Sequence, residues 1–163
     1  MSANENSLSP FHIFNFQVDF YEDPLDSDNN STQNLYLCGG AFSECTGLEA
    51  TMEPKVIKEG GRNYGTAQRA GPVTFATVIL KRGITTNRDL WNWFEMVNKD
   101  AAYAYRLAAY ITMNNIANEM VTTWKLINVM PLKFKSADFN AKGTEVGIEE
   151  LHLAHEGLER VQG

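Results

Sequence analysis

Three short stretches of this 163-residue chain hold side chains that could do chemistry. His152-Leu153-Ala154-His155 has the spacing HxxH, Glu149-Glu150 is a pair of adjacent carboxylates, and Glu59-Gly60-Gly61-Arg62-Asn63 could form a turn or an anion nest. HxxH is not the HExxH of helical zinc proteases. If the segment is a strand, residues 152 and 155 point to opposite faces and do not converge on one metal ion. Glu149 and Glu150 face opposite ways on a strand too, whereas a glycosidase pair must face each other across the bond to be cleaved. His12 has no obvious Cys or Ser partner to activate, and no GxSxG, Walker loop or GxGxxG is present. Cys38 and Cys45 are not in a CxxC, lack a second pair to complete a zinc site, and read as buried small hydrophobes. The chain therefore reads as a non-enzyme with no cofactor and no metal.

The elements that would position any site come from composition and periodicity. With 44% apolar and 21% charged residues, the chain has the make-up of one soluble domain that needs no disulfide or metal to fold. Residues 1–10 read as a flexible N-terminal arm and 11–163 as the domain. The formal charge of −6 argues against non-specific binding to nucleic acid, which needs a basic footprint. Lys133–Lys135 reads as the exposed side of a strand. No apolar run approaches a membrane span, and the polar start Met1–Pro10 lacks the centre of a signal peptide, so no membrane anchor and cytoplasmic synthesis are expected.

Phe14, Phe16, Val18 and Phe20 alternate with polar residues and predict a strand with one buried face. Tyr21–Asn34, with Glu22, Asp23, Asp26 and Asp28, reads as a long acidic loop. Leu35–Cys38 and Ala41–Thr46 read as short strands. Thr51–Lys58 reads as another, confined by Pro54 to an edge or a bulge. Glu59–Gly71 reads as a long loop or the tip of an extended hairpin. Val73–Lys81 is apolar on both faces, which predicts a strand covered on each side. Thr86 and Asp89 resemble a capping box ahead of an amphipathic helix over Asn87–Asn98. Ala101–Met113 carries helix-favouring alanines, but the alternation of its tyrosines favours a hairpin with Met120–Val129. The last strand, Thr144–Ala154, changes phase at Glu149-Glu150, which predicts a β-bulge there. Many strands and one helix give a mainly β fold, an antiparallel β-barrel or sandwich with one external amphipathic helix.

Ordered blocks through residues 11–158 carry a resemblance. They are FNFQVD at 14–19, GAFSECTGL at 40–48, EGGRNY at 59–64, VILKRGIT at 78–85, DLWNW at 89–93, WKLINVMPLK at 124–133 and DFNAKGTEVGIEELHLAHEGL at 138–158. Their combination resembles the tail-tube proteins of contractile phages and of extracellular contractile injection systems. The acidic loop at 21–34 is longer than that pattern has, and 101–113 is richer in alanine and tyrosine.

The resemblance implies a structural protomer whose homo-hexameric rings stack into a hollow inner tube. The implied partners are further copies of itself, a contractile sheath protein, baseplate and tube-terminator proteins, and cargo in the lumen. Released particles or phage tails would be its final location. Glu59, Gly60, Gly61, Arg62, Asn63 and Tyr64, with Asp138, Phe139, Asn140, Ala141 and Lys142, are expected at ring or subunit interfaces. Glu22, Asp23, Asp26 and Asp28 are expected as a baseplate contact if the chain is the tube-initiator paralogue. A soluble ligand-binding or enzymatic β-barrel is the alternative of a different class, and it requires a closed cavity with convergent polar groups.

Overall fold

The period of two does form a strand from Asn15 onward, with Phe14 outside the described residues. β1 is Asn15–Glu22, with Val18 and Phe20 buried and Phe16 packed beside them. The structure, a computed structural model, describes residues 15–22, 42–61, 64–86, 88–99, 106–143 and 146–161. The expected N-terminal arm, the strand at 35–38, Cys38 and the acidic residues from 23 to 34 lie outside them. Tyr21 and Glu22, expected at the start of the acidic loop, belong to β1.

The remaining elements are β2 (Glu44–Thr46), β3 (Ala50–Met52), β4 (Lys55–Ile57), β5 (Ala67–Arg69), β6 (Val73–Phe75), β7 (Val78–Gly83), α1 (Asp89–Asn98), β8 (Leu107–Asn114), β9 (Met120–Lys135), β10 (Ile148–Ala154) and β11 (Gly157–Val161). Seven strands form one antiparallel sheet in the order β1-β8-β9-β10-β7-β2, and β11 also pairs with β9. The β8–β9 hairpin is present over Leu107–Asn114, while residues 101–105, with Tyr103 and Tyr105, lie outside the described residues. Its turn closes through Asn115 and Asn118. The Asn115 side chain accepts from the Glu119 backbone N–H at 2.9 Å, and Asn118 takes a φ of 60°, a region asparagine tolerates better than most residues.

Strands at distant places in the sheet feed one core. Val18 and Phe20 of β1, Val78 and Leu80 of β7, Leu107 and Ile111 of β8, Leu126 and Val129 of β9, and Leu151 and Leu153 of β10 form a single buried cluster. A sheet with near-opposite strands sharing one core must curl. Helix α1 supplies Leu90, Trp93 and Val97 to that core, and the Trp93 ring meets the edge of Phe20 at 5.2 Å between centroids. The helix starts at Asp89 with Arg88 at its N-cap and no side-chain cap, so the capping box expected at Thr86 does not form.

Two expectations for the strands need correction. The run 73–81 is not one strand: the chain leaves the sheet at Ala76-Thr77, so Val73–Phe75 belongs to a separate hairpin and only Val78–Gly83 is sheet. The phase change at Glu149-Glu150 is not a bulge. Glu149, Leu151 and Leu153 are buried in strict alternation, while Val146 and Ile148 are exposed. The apolar residues change parity because a charge sits on the core face. Glu149 is the register partner of Arg82 on β7, and the Arg82 Nε donates directly to the Glu149 carboxylate. Arg82 is 2% exposed and also lies 6.0 Å from the Phe42 ring centre. The actual irregularity comes later, between His152 and Leu153, and the pairing then breaks between β10 and β11. There Asn128 of β9 takes a φ of 52° and its side-chain amide donates to Glu156 at 2.7 Å.

Removing one member of a buried ion pair strands the other, at about 3–5 kcal/mol. Glu149→Gln is expected to destabilise the dispersed subunit by about 3 kcal/mol, read from urea midpoints. Glu150→Gln, which weakens a partly buried contact with His152, is expected to cost under about 1 kcal/mol. Burial pushes the Cys45 thiol up to about 11, so it stays protonated at neutral pH. Maleimide labelling of Cys45 at pH 8, followed by peptide mass spectrometry, should run roughly a hundredfold slower in the folded chain than in urea, because the thiolate is the nucleophile.

Candidate assembly surfaces

The segment between β2 and β7 folds into an arm. β3 pairs with β6, with Ala50 opposite Phe75 and Met52 opposite Val73; β4 then pairs with β5, with Lys55 opposite Arg69 and Ile57 opposite Ala67. Thr51–Lys58 therefore splits at Glu53-Pro54, where proline cannot donate to a ladder. The two ladders are joined by the Glu53 N–H donating to the Pro72 carbonyl at 3.1 Å. Gly71 fits there because an added Cβ would collide with the Glu53 carbonyl. At its base the arm is tied to the sheet by the Ala76 N–H on the Glu49 carbonyl at 3.1 Å and by Phe75 against the His155 ring, 5.2 Å between centroids. Gly47, at φ 90° and packed on the Thr77 carbonyl, lets the chain turn out of β2.

Glu59–Gly61 and Tyr64 lie between β4 and β5 at the far end of this arm, whereas Ala67–Arg69, expected within the loop or tip, forms β5; Arg62 and Asn63 fall outside the described residues. Tyr64 is 95% exposed, and Met52, Val56 and Val73 are each about half exposed along the arm. Sequence reasoning missed these three. Their signal was present, in apolar residues next to the breakers Pro54 and Gly71-Pro72.

The other expected contact segment is elsewhere. Asp138–Lys142 is a turn in which the Asn140 side chain accepts from the Lys142 N–H at 3.1 Å, and Phe139 beside it is 95% exposed. It follows the end of β9, next to where β7 ends and β10 begins: Ile148 is the partner of Gly83, and the Ile84 N–H donates to the Gly147 carbonyl at 2.9 Å. The arm departs just before Val78, at the other end of β7. The structure therefore does not bring the two expected interface segments together. They lie at opposite ends of the β7–β10 ladder, separated by the six residues of β7, roughly 20 Å of strand. Ile84, Val146 and Ile148 are exposed at the Phe139 end and were also missed.

Among the described residues, three strands of the seven-stranded sheet have a free edge. They are β1, β2 and β11, each hydrogen-bonded on one side only. Of the proposed baseplate residues only Glu22 is described, at the end of β1; Asp23, Asp26 and Asp28 lie outside.

The residues singled out for chemistry have other roles. His152 bonds Glu150 at 3.3 Å, while the His155 Nδ1 lies 2.9 Å from the Gly157 carbonyl, so the two histidines do not converge. The His152 hydrogen bond is the main reason the Glu150 carboxyl sits below its ordinary pKa, helped by Lys81 and Lys135 against an opposing cost of burial. Glu150 faces Lys81 on one neighbouring strand and Lys135 on the other, and Lys81 also reaches Glu44 at 3.4 Å. These residues make a charge ladder across β2, β7, β10 and β9 on the sheet face away from the core. Among the described residues no three His, Cys, Asp or Glu side chains are grouped to hold a metal ion, and no helix is long and apolar enough to cross a membrane.

The fold has known counterparts. A chain of the anti-feeding prophage baseplate superposes with a TM-score of 0.68 at 22% identity, covering 94% of this chain and 96% of that one. A chain of the sheath–tube complex of the extracellular contractile injection system PVC, in its extended state, gives 0.73 at 18% identity, covering 95% and 93%. A chain of the anti-feeding prophage tube-terminating cap gives 0.70 at 16% identity over the whole of both chains. No curated protein is similar enough to count as a match. In sequence, residues 12–159 match the family described as T4-like virus tail tube protein gp19. A chain matched over nearly its whole length, with a tail-tube fold and open sheet edges, belongs to that family of structural tail-tube proteins and is not an enzyme.

Proposed function

We propose that this chain is the protomer of the inner tube of a contractile injection machine. Six copies close into a ring by joining their open sheet edges, and the rings stack into a hollow tube. The tube lies inside a contractile sheath, carries cargo in its lumen, and is driven through a target envelope when the sheath contracts. The subunits are synthesised in the bacterial cytoplasm and assembled there with sheath, baseplate and terminator proteins.

The single observation that carries this reading is the set of strands paired on one side only, on a fold of the tail-tube family. Unpaired N–H and C=O rows invite uncontrolled pairing unless something covers them, and a closed ring of identical copies covers them all. A formal charge of −6 per copy, repeated around such a ring, would also keep polyanions from adhering where the charges face the lumen. A second reading, a tube-initiator ring at the baseplate, is favoured by the fold shared with a chain of the anti-feeding prophage baseplate. The acidic residues Glu22, Asp23, Asp26 and Asp28 would then contact the baseplate.

Electron microscopy of the purified chain is expected to show six-fold rings and short tubes; monodisperse monomers at every salt and protein concentration would refute the proposal. Counting copies per particle by quantitative mass spectrometry separates the two readings, with many rings for a shaft protein and one or two for an initiator. Gly71→Val is expected to distort the arm, leave the melting temperature of the dispersed subunit within a few degrees, and reduce the sedimentable tube fraction at least tenfold.

A further inference from the structure

The turn of the β8–β9 hairpin presents apolar side chains to solvent. Ile116 is 72% exposed and Met120 54%. The turn backbone is well tied, by the Asn115 N–H on the Glu119 carbonyl at 3.0 Å and the Asn118 N–H on the Asn115 carbonyl at 2.9 Å. Met120 lies on the sheet face away from the core. Its sulfur accepts from the Thr123 hydroxyl at 3.4 Å, and Thr123 meets Thr112, the register partner of Gln17, at 3.3 Å.

β1 enters the sheet at this same turn. Asn15 is the register partner of Asn114, and its side-chain amide donates to the Asn118 side-chain oxygen at 3.5 Å. The sequence ahead of it changes character after Pro10. Residues 1–9 are mostly polar, whereas Phe11, Ile13 and Phe14 put three large apolar side chains around His12. The family match begins at residue 12, inside this stretch and ahead of the first residue of β1.

We infer that residues 11–14 of the same chain are the cover of the hairpin turn. Continued backward from Asn15 at the period of β1, Phe14 falls on the core side with Phe16 and Val18. Ile13 falls on the other side with Asn15 and Gln17, which is the side of Met120. Four residues of strand reach roughly 13 Å beyond Asn15, enough to pass the turn. The occupant is this segment because the chain itself delivers it there: a connection of one or two residues from Asn15 holds it at high effective concentration beside Ile116. Docked, it prolongs the free edge of β1, which is eight residues long, and offers a neighbouring copy a longer row of N–H and C=O groups. The docking stands on the single subunit; the longer joining edge rests on the tube reading above.

The test treats dispersed full-length chain carrying Ile13→Cys and Ile116→Cys with a short bismaleimide, beside a Ser7→Cys and Ile116→Cys comparison, and maps the links by mass spectrometry. A link from 13 to 116 within one chain is expected at least tenfold more often than one from 7 to 116. Hydrogen exchange reads the same contact without added cysteines. Ile13→Asp is expected to speed exchange of the amides in 113–121 at least fivefold while those of β7 and β10 keep their native rates, and Ser7→Asp is expected to change neither. Links found only between chains, or exchange in 113–121 that Ile13→Asp leaves unchanged, would overturn the inference. A native chain that forms the 13–116 contact but no rings or tubes in any condition would remove the tube reading and leave the docking standing.

Discussion

β9 has a strand partner along nearly all of its sixteen residues, and on both sides over 123–126, and the shape of the subunit follows from that. One side takes β8; the other takes β10 along its second half and β11 along its first. A strand so enclosed cannot slip, because a shift of one residue would turn Leu126 and Val129 out of the core. It also cannot stay straight while serving a curled sheet. The departure occurs at Asn128, whose positive φ and bond to Glu156 fix the bend where β10 gives way to β11.

The same sheet explains why the arm can project. β7 is held by β10 on one side and β2 on the other, and its core face is pinned by Val78, Leu80 and the Arg82–Glu149 pair. A buried ion pair is weak evidence for net stability, but its geometric demands are strict, and here it fixes the register of β7 on β10. With that ladder fixed, the arm springs from one end and the Phe139 turn from the other. Among the described residues the arm is held by its own ladders, the Ala76–Glu49 bond, the packing of Gly47 on Thr77 and the Phe75–His155 contact.

Incomplete satisfaction is the common theme of the surface. A subunit that buried all its edges and apolar groups would have no reason to assemble. This one keeps a conventional core of aliphatic residues around Trp93 and Phe20 and, among the described residues, leaves three edges of the main sheet, a partly apolar arm and an apolar patch at its periphery. The non-core face of β2, β7, β10 and β9 is polar, with Glu44, Lys81, Glu150 and Lys135 alternating in sign, which discourages stacking of one sheet on another.

The sequence by itself determined the local elements whose signal is local. Alternation at residues 14–20 made β1, helical spacing of Leu90, Trp93 and Val97 made α1, and Pro54 broke the strand it interrupts. Its ordered motifs also pointed to the tail-tube family. Tertiary structure decided what depends on partners distant in the chain. Glu149 reads as a surface carboxylate until Arg82, sixty-seven residues away, is placed opposite it, so the apolar pattern suggested a bulge where none exists. Val73–Lys81 looks continuous until β2 and β10 claim only its second half. The two interface segments read as one surface until β7 holds them apart. Periodicity records which side of an element is apolar, whereas the position of that side in space is set by which strands pair.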